Sequence, residues 1–126
     1  RYFMYYTQEQ GGRGAICARS SSDLLTWSHC QTVNRGGDAG SGPADAECAF
    51  VFPQDDSLLL FRWDARGITT IYRSTDPLNF GIDHDHLKVG EVPFECVRII
   101  REKNRFYLAS LHEDYSGIKM ACMEWH

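Results

Sequence analysis

Internal repetition constrains this chain more than its composition does. Three aromatic or aliphatic runs stand at the head of similar units: Tyr2-Phe3-Met4-Tyr5-Tyr6-Thr7, Leu58-Leu59-Leu60-Phe61-Arg62-Trp63 and Phe106-Tyr107-Leu108-Ala109-Ser110-Leu111. Each is followed, after a polar turn, by a run that begins with glycine: Gly14-Ala15-Ile16-Cys17-Ala18-Arg19-Ser20, Gly67-Ile68-Thr69-Thr70-Ile71-Tyr72-Arg73-Ser74 and Gly117-Ile118-Lys119-Met120-Ala121-Cys122-Met123. Aromatic and β-branched residues fit a pleated, half-buried surface, so each pair reads as a β-hairpin.

Two of the units carry a further strand in front. Ala46-Glu47-Cys48-Ala49-Phe50-Val51-Phe52 precedes the second hairpin, and Phe94-Glu95-Cys96-Val97-Arg98-Ile99-Ile100 precedes the third. Glu47-Cys48 and Glu95-Cys96 thereby fall at matching places. Two units also share a tail, Ser22-Asp23-Leu24-Leu25-Thr26-Trp27 and Thr75-Asp76-Pro77-Leu78-Asn79-Phe80. An Asp side chain can accept from backbone amides two residues on and close a turn. The aromatic that follows then packs as a plug against a neighbouring unit. A fourth, outer strand is expected near 29–33 and near 86–89. Apolar residues at helical spacing are nearly absent.

These matches predict an all-β chain, a β-propeller piece of about two and a half blades, each blade an antiparallel four-stranded sheet. Residues 1–33 supply blade strands b-c-d, residues 46–90 a complete blade a-b-c-d, and residues 91–126 strands a-b-c. Short strands at regular spacing also suit a β-sandwich. The paired Glu-Cys and Asp-to-aromatic positions favour the propeller.

Composition mostly excludes. A net charge of −4 gives no basic footprint for nucleic acid. No apolar run approaches the roughly 20 residues that span a bilayer as a helix, so neither nucleic acid nor a membrane is an expected partner. The 5 cysteines, Cys17, Cys30, Cys48, Cys96 and Cys122, are odd in number and lack CxxC spacing, which argues against both a disulfide framework and a zinc site. They read mostly as small buried hydrophobes. Together with the lack of an Asn-x-Ser/Thr sequon, this leans slightly toward the cytoplasm.

The stretch Ala18-Arg19-Ser20-Ser21-Ser22-Asp23-Leu24-Leu25-Thr26-Trp27 resembles the S-x-D-L-x-x-W signature of five-bladed propeller glycosidases. These are the inulinase/invertase and arabinanase/xylosidase families, with mannoside phosphorylases as relatives. Residues 46–52 resemble the Glu-Cys-Pro or Glu-Ser-Pro segment that carries the general acid of that group. Residues 94–110 are similar to its P-E-i-i-r…w-Y-L-S blade, and Gly117-Ile118 through Trp125 resembles the end of its final blade. Departures are visible too. Ala49 stands where Pro or another small residue is usual, and Ala46 where Trp is common. No segment matches the Trp-Met-Asn-Asp-Pro or Arg-Asp-Pro motifs that supply the other carboxylates.

The resemblance implies action on glycosidic bonds, which needs two carboxyl groups roughly 5 to 9.5 Å apart. Glu47 is the candidate general acid, since the start of an innermost strand opens onto the channel mouth. Apolar and like-charged neighbours there can raise a carboxyl pKa. The bland reading is that Glu47 only binds a neighbouring Arg or backbone amide. Glu95, one blade later, is expected to orient an Arg or contact a sugar hydroxyl. Arg62 and Trp63 are further candidates for substrate contact, and strand alternation puts them on opposite faces, so at most one enters any given site. Asp45 and Glu91 are expected to be solvated loop acids.

The remaining motifs read blandly. Residues 34–43 form a glycine-rich connection without the Gly-Lys-Ser/Thr of a P-loop, expected as a flexible loop. His84-Asp85-His86 has no third ligand at matching spacing and reads as a solvated turn, so no metal or cofactor is expected. Ser20-Ser21-Ser22 is a strand-end turn without the setting of a nucleophile elbow.

Three functions follow: a piece of a propeller glycosidase, inactive as an isolated chain; a non-catalytic carbohydrate-binding propeller; or a structural, self-assembling half-propeller. The first unit lacks an inner strand and the last an outer one. Two copies associating to complete a ring, or a missing N-terminal half, would supply them.

Overall fold

The computed structural model describes residues 1–124, which form ten strands and no helix. Trp125, read above as resembling the end of a final blade, lies outside the described residues. Strands β1 (Tyr2–Gln10), β2 (Arg13–Ser21) and β3 (Gln31–Asn34) make the first sheet. The second holds β4 (Glu47–Gln54), β5 (Ser57–Trp63), β6 (Thr69–Ser74) and β7 (Lys88–Val92). The third holds β8 (Glu95–Glu102), β9 (Arg105–Leu111) and β10 (Ile118–Met123). Every strand pairs antiparallel with its sequence neighbour inside its own sheet, and no sheet closes on itself. The expected strand order of three, four and three is therefore what the chain forms.

Short turns with positive φ close the hairpins. Gly11 and Gly12 join β1 to β2, Asp55 sits between β4 and β5, and Lys103 between β8 and β9. The two Asp turns work as the sequence suggests. Asp23 Oδ1 accepts from the Leu25 and Thr26 amides at 2.8 Å each, and Asp76 Oδ1 from the Leu78 amide at 2.9 Å. The Thr26 amide is the main cause holding the Asp23 carboxyl below its usual range.

Two cores flank the middle sheet. Leu60, Tyr72 and Phe80 pack with Ile16, Ala18 and Val33 of the first sheet. On the opposite face Leu59 and Phe61 pack with Val97, Ile99 and Leu108 of the third. Successive residues of β5 point to opposite faces, so a strand covered on both sides needs an uninterrupted apolar run. That is why Leu58-Leu59-Leu60-Phe61 does not alternate with polar residues.

The plug aromatics divide. Phe80 is fully buried and meets Tyr5 edge-on, with ring centroids 6.1 Å apart. The Tyr5 hydroxyl donates to the Pro77 carbonyl at 2.8 Å. Trp27, at the same place in the first unit, is only half-buried, beside Met4 and Tyr6 on the uncovered face of the first sheet.

Backbone bonds stitch the first two sheets together. The Phe80 amide donates to the Val33 carbonyl (2.7 Å), Arg35 to Gly81 (3.2 Å) and Asp83 to Arg35 (2.7 Å), which makes a short parallel bridge between Arg35 and Ile82. Asn34 adds side-chain bonds to the Phe80 and Gly81 carbonyls at 2.9 and 3.1 Å. Asp83 then pairs with both Arg13 and Arg35, at 2.6 and 2.8 Å. Such exposed pairs add little stability each; the backbone bonds fix the register.

Phe80→Ala is expected to cost about 3 kcal/mol or more in urea unfolding, whereas Trp27→Ala in the monomeric chain costs well under half of that. Equal costs would contradict the unequal burial. Burial, reinforced by Asp76, pushes the Tyr5 phenol up to about 12. Its raised value means stability from the neutral phenol is complete below about pH 10 and is lost as pH rises toward 12. Urea midpoints across that window should fall in the parent chain by a step that Tyr5→Phe lacks.

Candidate functional site

The two Glu-Cys pairs sit at equivalent irregularities. In β4 the pairing slips between Glu47, opposite Trp63, and Phe50, opposite Phe61. In β8 it slips between Glu95, opposite Leu111, and Arg98, opposite Ala109. Within each bulge the cysteine adopts a left-handed backbone, with φ of 52° at Cys48 and 50° at Cys96. Non-glycine residues are uncommon there, and bulges re-aim side chains at the ends of sheets. β4 and β8 lie side by side, which brings the two cysteine Cα atoms to 5.0 Å and joins them in a disulfide.

That bond corrects the reading of the cysteines as mostly small buried hydrophobes outside any disulfide framework. Cys17 is buried as expected, but Cys30 is half-buried and Cys122 exposed. A separation of 48 residues hides the pair from any spacing rule. Only the repeat brings equivalent positions of adjacent units together. Disulfides persist in oxidising compartments, so the odd count no longer leans toward the cytoplasm.

Glu47 and Glu95 each precede a bonded cysteine and emerge, half-buried, at the same end of neighbouring strands. Tyr115, in the turn from β9 to β10, meets them: its hydroxyl donates to Glu95 Oε1 at 3.3 Å. The Glu95 charge raises the Tyr115 pKa most, and Glu47 adds to it, so both carboxylates act on one phenol. The Glu95 backbone is held by Ser110, whose Oγ donates to its carbonyl at 2.7 Å. Arg98 bridges the strands by donating to the Cys48 carbonyl at 3.3 Å while its guanidinium lies over Phe50. A cleft of about 260 Å³ opens on the Glu95 side, between Arg66, Phe94, Glu113 and Lys119. Tyr115 had no counterpart in the other units, so repetition could not single it out.

Trp63 faces Glu47 across the β4–β5 ladder, half-buried, with an indole N–H that is shielded from solvent and without an acceptor. Arg62 goes the other way. It is fully buried, and its fork donates to the carbonyls of Asp45 (2.7 Å), Gly36 (3.1 Å) and Gly40 (2.7 Å) and to Asn34 Oδ1 (2.9 Å). Desolvation lowers its pKa. Its donors serve the glycine-rich connection, so this side chain organises the fold and does not face the Glu47–Glu95 rim.

The connection is accordingly pinned, not flexible. Asp45 Oδ2 accepts from the Gly42 amide at 2.7 Å, and Asp85 Oδ2 from the Asp38 amide at 2.9 Å. Gly40, at φ 86°, has the Asp45 carboxylate where a Cβ would stand, so both its backbone angle and its surroundings require glycine. Asp45 is thus a loop brace. Glu91, expected in a solvated loop, lies on β7 and pairs with Lys88 and Arg66, both at 3.1 Å, which hold its carboxyl below the usual range. Arg66 also forks onto the buried Asp64. His84 and His86 stack ring on ring with centroids 4.6 Å apart. No group of three or more potential metal ligands occurs among the described residues.

No family model, no curated protein and no solved structure matches this chain.

Alkylation followed by peptide mapping tests the pairing. Without reductant, Cys122 should label first. Cys17, whose thiol burial pushes up to about 11, should label only on unfolding. Cys48 and Cys96 should label only after reduction, which is expected to cost about 2–4 kcal/mol of stability. Label at Cys48 in the unreduced, folded protein would contradict the bond.

Proposed function

We propose that the three sheets are consecutive blades of a β-propeller of the glycosidase type, and that the Glu47–Glu95 rim is part of its carbohydrate site. The observation that carries this reading is the equivalence of the two acids. Each stands at a bulge on an inner strand, one residue before a shared disulfide, with Tyr115 between them. A carboxylate at Glu95 accepts hydrogen bonds only, which suits the hydroxyl groups of a sugar, whereas a carboxylic acid at Glu47 has a proton to give. Trp63 beside Glu47 and Tyr115 beside Glu95 add the flat apolar surface that sugar rings cover.

In this reading Glu47 gives its proton to the departing glycosidic oxygen, and Glu95 orients the sugar through its hydroxyls. Hydrolysis also requires a carboxylate on the far side of the scissile bond, roughly 5 to 9.5 Å from the acid. Glu95 comes from the adjacent strand of the same rim, so that partner must come from elsewhere in a complete ring. The chain alone therefore binds sugar without hydrolysing it.

Calorimetric titration with a panel of neutral saccharides separates these readings. At least one should bind, and Glu95→Gln should weaken it about tenfold or more, the loss of a charged hydrogen bond. No heat from any saccharide would refute a carbohydrate site. Turnover of aryl glycosides by an assembled ring should vanish in Glu47→Gln; unchanged turnover would remove Glu47 as the proton donor. Binding without turnover in any assembly would favour the non-catalytic reading.

A further inference from the structure

The chain makes one kind of face-to-face contact twice. The first sheet covers the β5–β6 face that carries Leu60, Tyr72 and Phe80, and the third covers the opposite face, which carries Phe52, Phe61 and Ile71. The repeat register assigns each of these positions a counterpart at the chain's two ends. Asp76 and Phe80 correspond to Asp23 and Trp27. The same offset along the paired ladders sets Tyr72 against Arg19, and Leu60, opposite Tyr72, against Met4, opposite Arg19. At the other end Phe61, opposite Ile71, corresponds to Ala109, opposite Met120, and Phe52, opposite Leu59, to Ile100, opposite Tyr107.

Burial differs sharply between counterparts. Leu60, Tyr72 and Phe80 are fully covered, whereas Met4 is 43% exposed and Trp27 half-buried around a hollow of about 380 Å³. Ile100 and Met120 are 45% and 60% exposed. Each end thus presents one half of a contact whose complete form exists inside the chain. The halves are of opposite kind: the first sheet offers the plug-bearing face, and the third offers the face that receives a plug.

We propose that a second copy of this chain covers both faces, head to tail. The Met4–Trp27 face of one copy seats on the Ile100–Met120 face of the other. The choice of occupant rests on continuity with the internal contacts, because the surface that matches each open face in register is the other end of the same chain, with Arg19 in the place of Tyr72 as the one charged position in that match. Making the contact at both junctions closes a ring of two chains, each bringing three sheets, one sheet more than the five-bladed ring that the resemblance implies, and leaves neither face open. A heterologous contact that did not close would grow into filaments. This inference rests on sheet packing and not on the sugar reading, and its test involves no saccharide.

Sedimentation equilibrium of the intact chain should give a mass of two chains. Met4→Glu and Met120→Glu place a charge on one face each and should each give monomers. Mixing the two variants should restore a 1:1 pair, because one junction then joins two unaltered faces. A contact of each face with itself could not be rescued in this way. A parent chain that stays monomeric, growth beyond two chains, or failure of the mixture to associate would each overturn the proposal. Trp27→Ser and Ile100→Lys repeat the test should either first variant lose its strand signal in circular dichroism.

Discussion

The middle sheet must be covered on both faces, and the rest of the structure follows from that requirement. Leu59 and Phe61 face one neighbour, and Leu60 and Tyr72 the other. Left open, either face would expose a contiguous apolar surface of the kind that drives association. The first and third sheets meet this need and by doing so inherit part of it, since each exposes apolar side chains on the side it turns away. Stacking of this sort has no natural end short of closure or a polar cap. Met4 and Trp27 at one end and Ile100 and Met120 at the other leave apolar side chains on the open faces, although Arg19 stands opposite Met4 where Tyr72 stands in the middle sheet.

The same stacking creates the rim. The adjacent edge strands β4 and β8 bring equivalent bulges together, and the Cys48–Cys96 bond fixes two bulges that would otherwise be held mainly by the Arg98 bridge and their own ladders. Both cysteines sit in a left-handed backbone that L-residues adopt at some cost. Such a cost is tolerated where the surroundings over-determine the geometry. Here the cross-link, the Ser110 bond and the Arg98 bridge all act on the residues that carry the two acids.

A different kind of order governs the opposite side of the middle sheet. A buried guanidinium is expensive unless its donors are met. Arg62 meets them with backbone carbonyls from one glycine-rich connection, so loop and arginine specify each other. Glycine content alone suggested a mobile loop. The acids that pin it, Asp45 and Asp85, look in sequence like any solvated carboxylates.

The sequence by itself determined the strands, their hairpin pairing and their grouping into units of three, four and three. All of these depend on local alternation, turn residues and short-range repetition. It also marked Glu47 and Glu95 as equivalent, because matched spacing is a property of the string. Only the tertiary structure decided which equivalent positions touch. It joined Cys48 to Cys96, brought Tyr115 to Glu95, buried Arg62 and left Trp27 uncovered where Phe80 is enclosed. Those outcomes depend on which sheet lies against which face, and contacts between units distant along the chain leave no local pattern to read.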